Sequence, residues 1–279
     1  MVLLALFGAV MGQGVIWYTG QFYAQSFLEN TVKLEFMQNR EILLWGIGLA
    51  TPFFLVFGAL SDKIGRKWIM LTGMLLGALF YRPIFSTFLK DTNAAEWVMD
   101  TQNLQGSGKE FKLVKTDSAV DNEKNSVAIL HKTRALVYNG TSFTENIADT
   151  LLLGTAGAEI IKKDNHPTYS DKLLTTSLKW KFIFLVFVMI IFVTMAYAPI
   201  AAFLVELFPT RIRYTSMSLP YHIGNGVFGG LVPFIATLLS TSFVNDPLVG
   251  LWYPIGVAAL CFIIGAFYLS NRIDENIND

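Results

Sequence analysis

Cysteine and histidine are scarce in this 279-residue chain. Cys261 is the one cysteine, so no disulfide forms within the chain. Of three histidines, His131 and His166 lack partners at metal-ligand spacing, so no metal site is predicted. Lys and Arg balance Asp and Glu at 21 each, which disfavours a nucleic-acid partner. Catalytic and phosphate-binding motifs are missing too, so the sequence predicts neither an enzyme nor a bound cofactor.

Hydrophobic sequence, in contrast, is abundant. Hydrophobic residues make up 53% of the chain and the mean hydropathy is +0.47. A helix needs roughly 20 apolar residues to cross the hydrocarbon core of a bilayer. Six runs approach that length, and we number them spans one to six: about 2–28, 43–60, 68–89, 182–205, 214–239 and 251–269. The pattern predicts an all-α integral membrane protein embedded in a lipid bilayer.

The connection between spans two and three is short and charged, with the sequence GALSDKIGRK from Gly58 to Lys67. A turn this short needs glycine at crowded positions, and Gly58 and Gly65 supply it. Asp62 and Arg66 stand four residues apart, so they pair if the stretch is helical.

This stretch resembles the loop motif of the major facilitator superfamily, in which a glycine and a small residue precede Asp, a basic residue, Gly, Arg and Lys. A second stretch, ELFPTRIR from Glu206 to Arg213, is similar to the Glu and Arg that the superfamily carries later in each half. With TPFF before the first motif and SLPYHIGNG after the second, the chain resembles the metabolite:proton symporter family. The resemblance covers the hydrophobic parts of the chain and implies the C-terminal six-helix half of a major facilitator fold, with a missing N-terminal six-helix half as its partner.

The resemblance also implies a cytoplasmic gate. In the family, carboxylate and arginine pairs hold helix ends together while the cavity faces outward, and break when it opens inward. The matching residues are Gly58, Asp62, Gly65, Arg66, Lys67, Glu206, Arg211 and Arg213. The alternative is that the basic residues only hold these loops on the inner side of the membrane.

Span one becomes polar in its second half. Gln13, Trp17 and Gln21 recur at every fourth residue and share one helix face, which lipid tolerates poorly. This face therefore lines a cavity or a helix contact. The resemblance implies that this helix lines the central cavity, so Gln13, Trp17, Tyr18 and Gln21 are candidate substrate-binding residues. The alternative is that their polar groups are satisfied between helices.

Two ionisable residues lie within spans. Arg82 lies roughly 21 Å into span three, where its charge must snorkel outward, pair or face water. His222 lies about 12 Å into span five and shares a face with Asn225. Both are candidate substrate-binding residues. The alternatives are a snorkelling arginine and a neutral histidine hydrogen-bonded between helices.

Between spans three and four the sequence becomes polar. Short strands are predicted at residues 111–114, 127–130 and 135–138, and Asn139-Gly140 is a strong hairpin signal. We therefore predict three parts: residues 1–89 with spans one to three, residues 90–178 as an inserted small β-rich extracytoplasmic module, and residues 179–279 with spans four to six and a tail.

Basic residues in the short connections favour one orientation. The inner side holds Lys63, Arg66, Lys67, Arg211, Arg213 and Arg272, and the outer connections hold Lys33 and Arg40. The positive-inside rule then predicts a multi-pass protein of the plasma (inner) membrane with both termini cytoplasmic. The function implied is secondary active transport by alternating access, a symport of a small organic metabolite with protons. The alternative is a non-transporting protein whose spans anchor an external binding module.

Overall fold

The structure is a computed structural model that describes residues 1–100, 111–124, 127–154, 157–163, 166–243 and 246–270. The chain forms two compact units. The helical unit contains Met1–Thr31, Arg40–Phe88 and the chain from Trp180 onward, and the second unit contains Val32–Asn39 and Leu89–Lys179. Residues 271–279, the predicted tail, lie outside the described residues.

Six helices in the described part are long and apolar enough to cross a membrane, which confirms the number of spans predicted. They are Val2–Asn30, Phe36–Ile64, Arg66–Met99, Thr176–Leu207, Arg213–Ser242 and Val249–Tyr268, spans one to six. Each helix extends beyond its apolar run or matches it closely. Polar residues continue several of the helices past the hydrophobic stretch.

Several spans are interrupted. Pro52 and Pro199 precede the second halves of spans two and four, because proline suits a helix start and disrupts a helix interior. Spans one and five contain wider π-helical segments, Leu6–Val10, Thr19–Tyr23 and Gly224–Gly229. The other segments are Val2–Ala5, Met11–Tyr18, Ala24–Asn30, Phe36–Ala50, Phe53–Ile64, Arg66–Asp91, Ala94–Asp100, Thr176–Tyr197, Ile200–Leu207, Arg213–Ile223, Val232–Ser242, a 3₁₀ turn at Val249–Leu251, and Trp252–Tyr268.

The charged connection between spans two and three is tighter than predicted. One helix ends at Ile64 and the next begins at Arg66, so a single residue, Gly65, makes the turn with φ 96°. A side chain at Gly65 would be strained there. Gly58 was wrongly predicted to be a crowded turn residue, because it lies within a helix and a Cβ on it would meet no atom within 4 Å.

Small residues allow the helices to pack closely. A Cβ on Gly12 would lie 2.7 Å from Cys261, and one on Gly73 would lie 2.8 Å from the backbone of span four. Span one is the most enclosed helix, with 67% of its most apolar window buried, against 22% in spans two and five. The latter two spans therefore supply much of the helical unit's exposed apolar surface.

The second unit contains an antiparallel sheet of five described strands. They are β1 (Phe111–Lys124), β2 (Val127–Tyr138), β3 (Thr141–Gly154), β4 (Gly157–Lys162) and β5 (Thr168–Leu173). The order is β1-β2-β3-β4, and β5 pairs with the first part of β3. The hairpin prediction is confirmed: Tyr138 pairs with Thr141, and Asn139 and Gly140 have φ of 47° and 79° in a two-residue turn.

The strands are longer than predicted, and residues 127–130 and 135–138 belong to one strand. The intervening charged residues stay in the sheet because they form cross-strand ion pairs. Lys132 Nζ lies 2.7 Å from the Asp149 carboxylate, and Arg134 lies 3.5 Å from Glu145. A small apolar core lies nearby, where Trp97 stacks on Tyr138 with ring centroids 5.4 Å apart.

Candidate functional site

Spans one, two, four and five bring together a group of aromatic side chains, which we call the aromatic cluster: Trp17, Tyr18, Phe22, Phe54, Tyr197 and Tyr221. The Trp17 ring centroid lies 5.0 Å from that of Tyr18 and 5.7 Å from that of Tyr197. Phe54 of span two packs edge-on against Tyr197 at 6.0 Å. Trp17 and Tyr18 are only half-buried, so the cluster leaves part of its aromatic surface accessible.

Two tyrosine hydroxyls of the cluster contact each other. The hydroxyls of Tyr197 and Tyr221 are 2.8 Å apart, and either one can be the donor. The Asn225 side chain donates to the Tyr221 carbonyl at 3.0 Å, while its Oδ1 is buried with no hydrogen-bond partner among the described residues. The cluster therefore combines aromatic faces with a few polar groups, the usual composition of a small-molecule site.

Gln13 does not join this cluster. Its side chain is fully buried, and both amide atoms have no hydrogen-bond partner within the described part of the chain. Its neighbour Gly14 lies at a close crossing of spans one and five, where a Cβ on Gly14 would be 2.8 Å from the Gly224 carbonyl oxygen. Gln13 therefore differs from Trp17 on the same predicted face, because helix packing encloses it.

Gln21 and His222 are the other two predicted binding residues on these spans. Gln21 is half-buried inside the π-helical segment Thr19–Tyr23. His222 is exposed, with its ring edge-on to Tyr221 at 5.9 Å. The structure thus places Trp17 and Tyr18 in the cluster, His222 beside it, and Gln21 elsewhere on span one.

Arg66 connects the two motifs that were identified from the sequence. It pairs with Asp62 one turn earlier, at 3.0 Å, which confirms the predicted helical spacing. Its other terminal nitrogen contacts the carboxylate of Glu206, at the end of span four. The Arg66 and Glu206 side chains are only 19% and 12% exposed, so this ion pair is better shielded than an ordinary surface pair.

The remaining predicted gate cations have other environments. Lys67 is buried and donates to the carbonyls of Ala266 and Leu269 at 2.8 and 2.7 Å, where its charge stabilises the C-terminus of span six. Arg213 donates from Nε to the Phe208 carbonyl at 3.1 Å, and Arg211 is exposed. Within the described part of the chain, Arg66 is thus the gate cation that pairs with Glu206.

Arg82 is paired. Its guanidinium lies 3.1 Å from the Asp246 carboxylate and 4.8 Å from the Trp252 ring centroid. The other Asp246 oxygen accepts from the Leu248 backbone at 3.0 Å. Among the three outcomes open to this arginine, the structure shows pairing, and the pair links span three to the connection before span six.

Tyr197, Phe54 and Tyr221 were absent from the predicted binding set. A tyrosine within an otherwise apolar span is itself a signal, because its buried hydroxyl needs a partner. Tyr197, two residues before Pro199, met that criterion. Its partner, however, lies on another span, so the sequence contained no local indication of the pair.

No family model matches this chain, and no solved structure matches it. A curated protein of Haemophilus influenzae, named "Putative metabolite transport protein", is 33% identical over 109 residues. The matched region covers 39% of this chain and 23% of the relative, so the chain spans about a quarter of the relative's length. The six apolar helices and the similarity to a protein with that name together fit a membrane transporter.

Proposed function

We propose that this chain is the C-terminal six-helix half of a secondary active transporter of the major facilitator type. It carries a small organic metabolite together with protons across the plasma (inner) membrane, with both termini cytoplasmic and the sheet-containing unit outside. Transport occurs by alternating access, in which two halves rock about a site at their interface.

The observation that carries this proposal is the contact of Arg66 with both Asp62 and Glu206. The two motifs lie far apart in sequence, and the sequence resemblance assigned both to one gate. Partly exposed ion pairs are each worth about 1 kcal/mol or less. A gate built from such pairs is stable enough to favour one state and weak enough to open.

The substrate site of the proposed transporter is the aromatic cluster with His222 beside it, whereas Gln21 and the enclosed Gln13 lie outside the cluster on span one. Aromatic faces with two hydroxyls suit a small organic molecule with an apolar part and a hydrogen-bonding group. Arg82 belongs to an ion pair with Asp246, so we assign it to the outer connection and not to substrate binding.

The partner of the proposed half is an N-terminal six-helix half. Spans two and five expose most of their apolar windows, since only 22% of each is buried. Span five also carries the exposed His222 beside the aromatic cluster. A second half covering these spans would complete the site and shield its polar groups from lipid.

The test is metabolite uptake in cells that express this chain with a matching N-terminal half. Arg66→Gln should reduce uptake, and Lys63→Gln, at an exposed lysine of the same connection that is not in the predicted gate set, is the matched control. A protonophore should abolish uptake if protons drive it. Equal uptake by both variants would overturn the gate, and uptake by this chain alone in liposomes would overturn its assignment as a half-transporter.

A second candidate function is that of a membrane anchor for the sheet-containing unit. The observation in its favour is that this unit is compact by its own contacts. Deleting residues 101–163 from the co-expressed transporter separates the two functions. Uptake should persist after the deletion if the helical unit transports. The anchor function requires instead that neither the intact nor the deleted chain supports uptake.

A further inference from the structure

A small recess lies between the C-terminal ends of spans one and five, apart from the aromatic cluster. Its volume is about 70 Å³. The lining residues are Tyr23, Ser26, Phe27, Asn30, Thr31, Thr237, Ser240 and Thr241. Seven of these eight carry a hydroxyl or an amide, and none carries a charge.

The polar groups of the recess are held in place by bonds among themselves. Ser240 Oγ donates to the Pro247 carbonyl at 2.8 Å, so at the 3.1 Å contact between Tyr23 and Ser240 the Tyr23 hydroxyl is the donor. Asn30 Nδ2 donates to Ser26 Oγ at 3.2 Å. The walls of the recess are therefore pre-organised, which lowers the cost of binding.

These bonds leave capacity for a ligand. Ser26 keeps its own hydroxyl hydrogen for a ligand, whereas the Tyr23 oxygen is almost fully enclosed. Asn30 keeps its carbonyl oxygen and one N–H, since Nδ2 carries two hydrogens and one is used. The recess thus offers donors and acceptors side by side.

This mixture indicates the chemistry of the ligand. A cation site would need carboxylates, and an anion site would need a cation or several convergent N–H groups. The nearest acid in sequence, Glu29, pairs with Arg40 at 3.3 Å and does not line the recess. A neutral hydroxyl group, which donates and accepts at one oxygen, matches the wall.

The size of the recess limits the ligand further. A water molecule occupies about 30 Å³ of liquid, so about 70 Å³ holds roughly two waters or one hydroxymethyl group. A sugar ring is too large to enter whole, but a hydroxymethyl end is not.

We propose that this recess is a binding site for the hydroxymethyl end of a neutral polyol. The site is separate from the aromatic cluster and does not depend on the proposed transport. Tyr23 and Ser240 join span one to span five at its base, so occupancy also stabilises the contact between these two spans.

The test is protection from alkylation, using the chain purified in nanodiscs. The wild-type protein is the blank, because its one cysteine, Cys261, is fully buried. Thr237→Cys places a thiol in the recess, and Thr215→Cys, at an exposed threonine near the start of the same span, is the matched control. Glycerol is the probe, and acetate and tetramethylammonium represent anions and cations of similar size.

We expect glycerol to slow maleimide alkylation of Thr237→Cys in a saturable manner and to leave Thr215→Cys unchanged, with no protection by either ion. In the Thr237→Cys background, Ser26→Ala or Thr31→Val should weaken the apparent affinity for glycerol about 2- to 10-fold, as expected for one neutral hydrogen bond. Equal slowing at both cysteines, protection by an ion instead, or no protection by glycerol would each overturn the proposal.

Discussion

Replacing Gln13 with methionine should stabilise the helical unit. The Gln13 amide is fully buried, and neither its oxygen nor its nitrogen has a hydrogen-bond partner among the described residues. Methionine is an unbranched side chain of similar length without a polar amide, so Gln13→Met nearly preserves the packing and removes the desolvated group.

The expected gain is about 1 kcal/mol, with an upper bound of about 3 kcal/mol. A buried polar group left without a partner costs about 1–3 kcal/mol relative to its solvated state. In a bilayer the lower end applies, because the unfolded chain also lies partly in lipid and its polar groups find partners there.

Unfolding of the purified chain by SDS in mixed micelles measures this change. Gln21→Met is the matched control, since Gln21 is another glutamine of span one but is half-buried. Its free energy of unfolding should change by less than about 0.5 kcal/mol. The difference between the two variants isolates the effect of burial without a partner.

A loss of more than about 1 kcal/mol in Gln13→Met would refute this reasoning. Such a loss is the expected effect of breaking a buried hydrogen bond, and would show that the amide is satisfied in the folded protein. An equal gain in Gln21→Met would also refute it, because the gain would then reflect greater hydrophobicity and not the enclosed position of Gln13.

Two further predictions follow from packing and burial. Gly14→Ala should destabilise the helical unit by about 1–3 kcal/mol, because its Cβ would meet the Gly224 backbone. Gly48→Ala, in open space, is the control and should be neutral or stabilising by up to about 1 kcal/mol. Equal SDS-unfolding midpoints for the two variants would contradict this prediction. Burial lowers the pKa of Lys172 from 10.5 to about 8. Between these pH values the unfolded chain binds more protons than the folded one, so stability of the second unit should rise with pH by about 3 kcal/mol across that window. Urea midpoints measured from pH 8 to 10 should show this rise in the wild type and not in Lys172→Met, and parallel profiles would refute the assignment.

The local features of the fold followed from the sequence. Six apolar runs predicted six long helices, because the hydrogen bonds of a helix close within the segment itself. The Asn139-Gly140 hairpin and the Asp62–Arg66 pair were equally predictable. Each depends on residues within a few positions of one another, so the backbone conformation alone brings them together.

The contacts between distant segments required the tertiary structure. Glu206 meets Arg66, Tyr197 meets Tyr221, and Asp246 meets Arg82, each pair joining two different parts of the chain. The sequence identified some members of these pairs as candidates, but a periodic pattern gives the face of a helix and not the helix that packs against it.

Burial was the second property that only the tertiary structure decided. Gln13 and Trp17 have the spacing of one helix face, yet Gln13 is fully enclosed and Trp17 is half-exposed in the aromatic cluster. Gly14 and Gly224 let spans one and five approach closely beside Gln13. The sequence by itself thus determined which segments are helices and where polar groups lie along them. Close packing between helices decided which of those groups a ligand can reach, because accessibility depends on neighbours that lie far away in the chain.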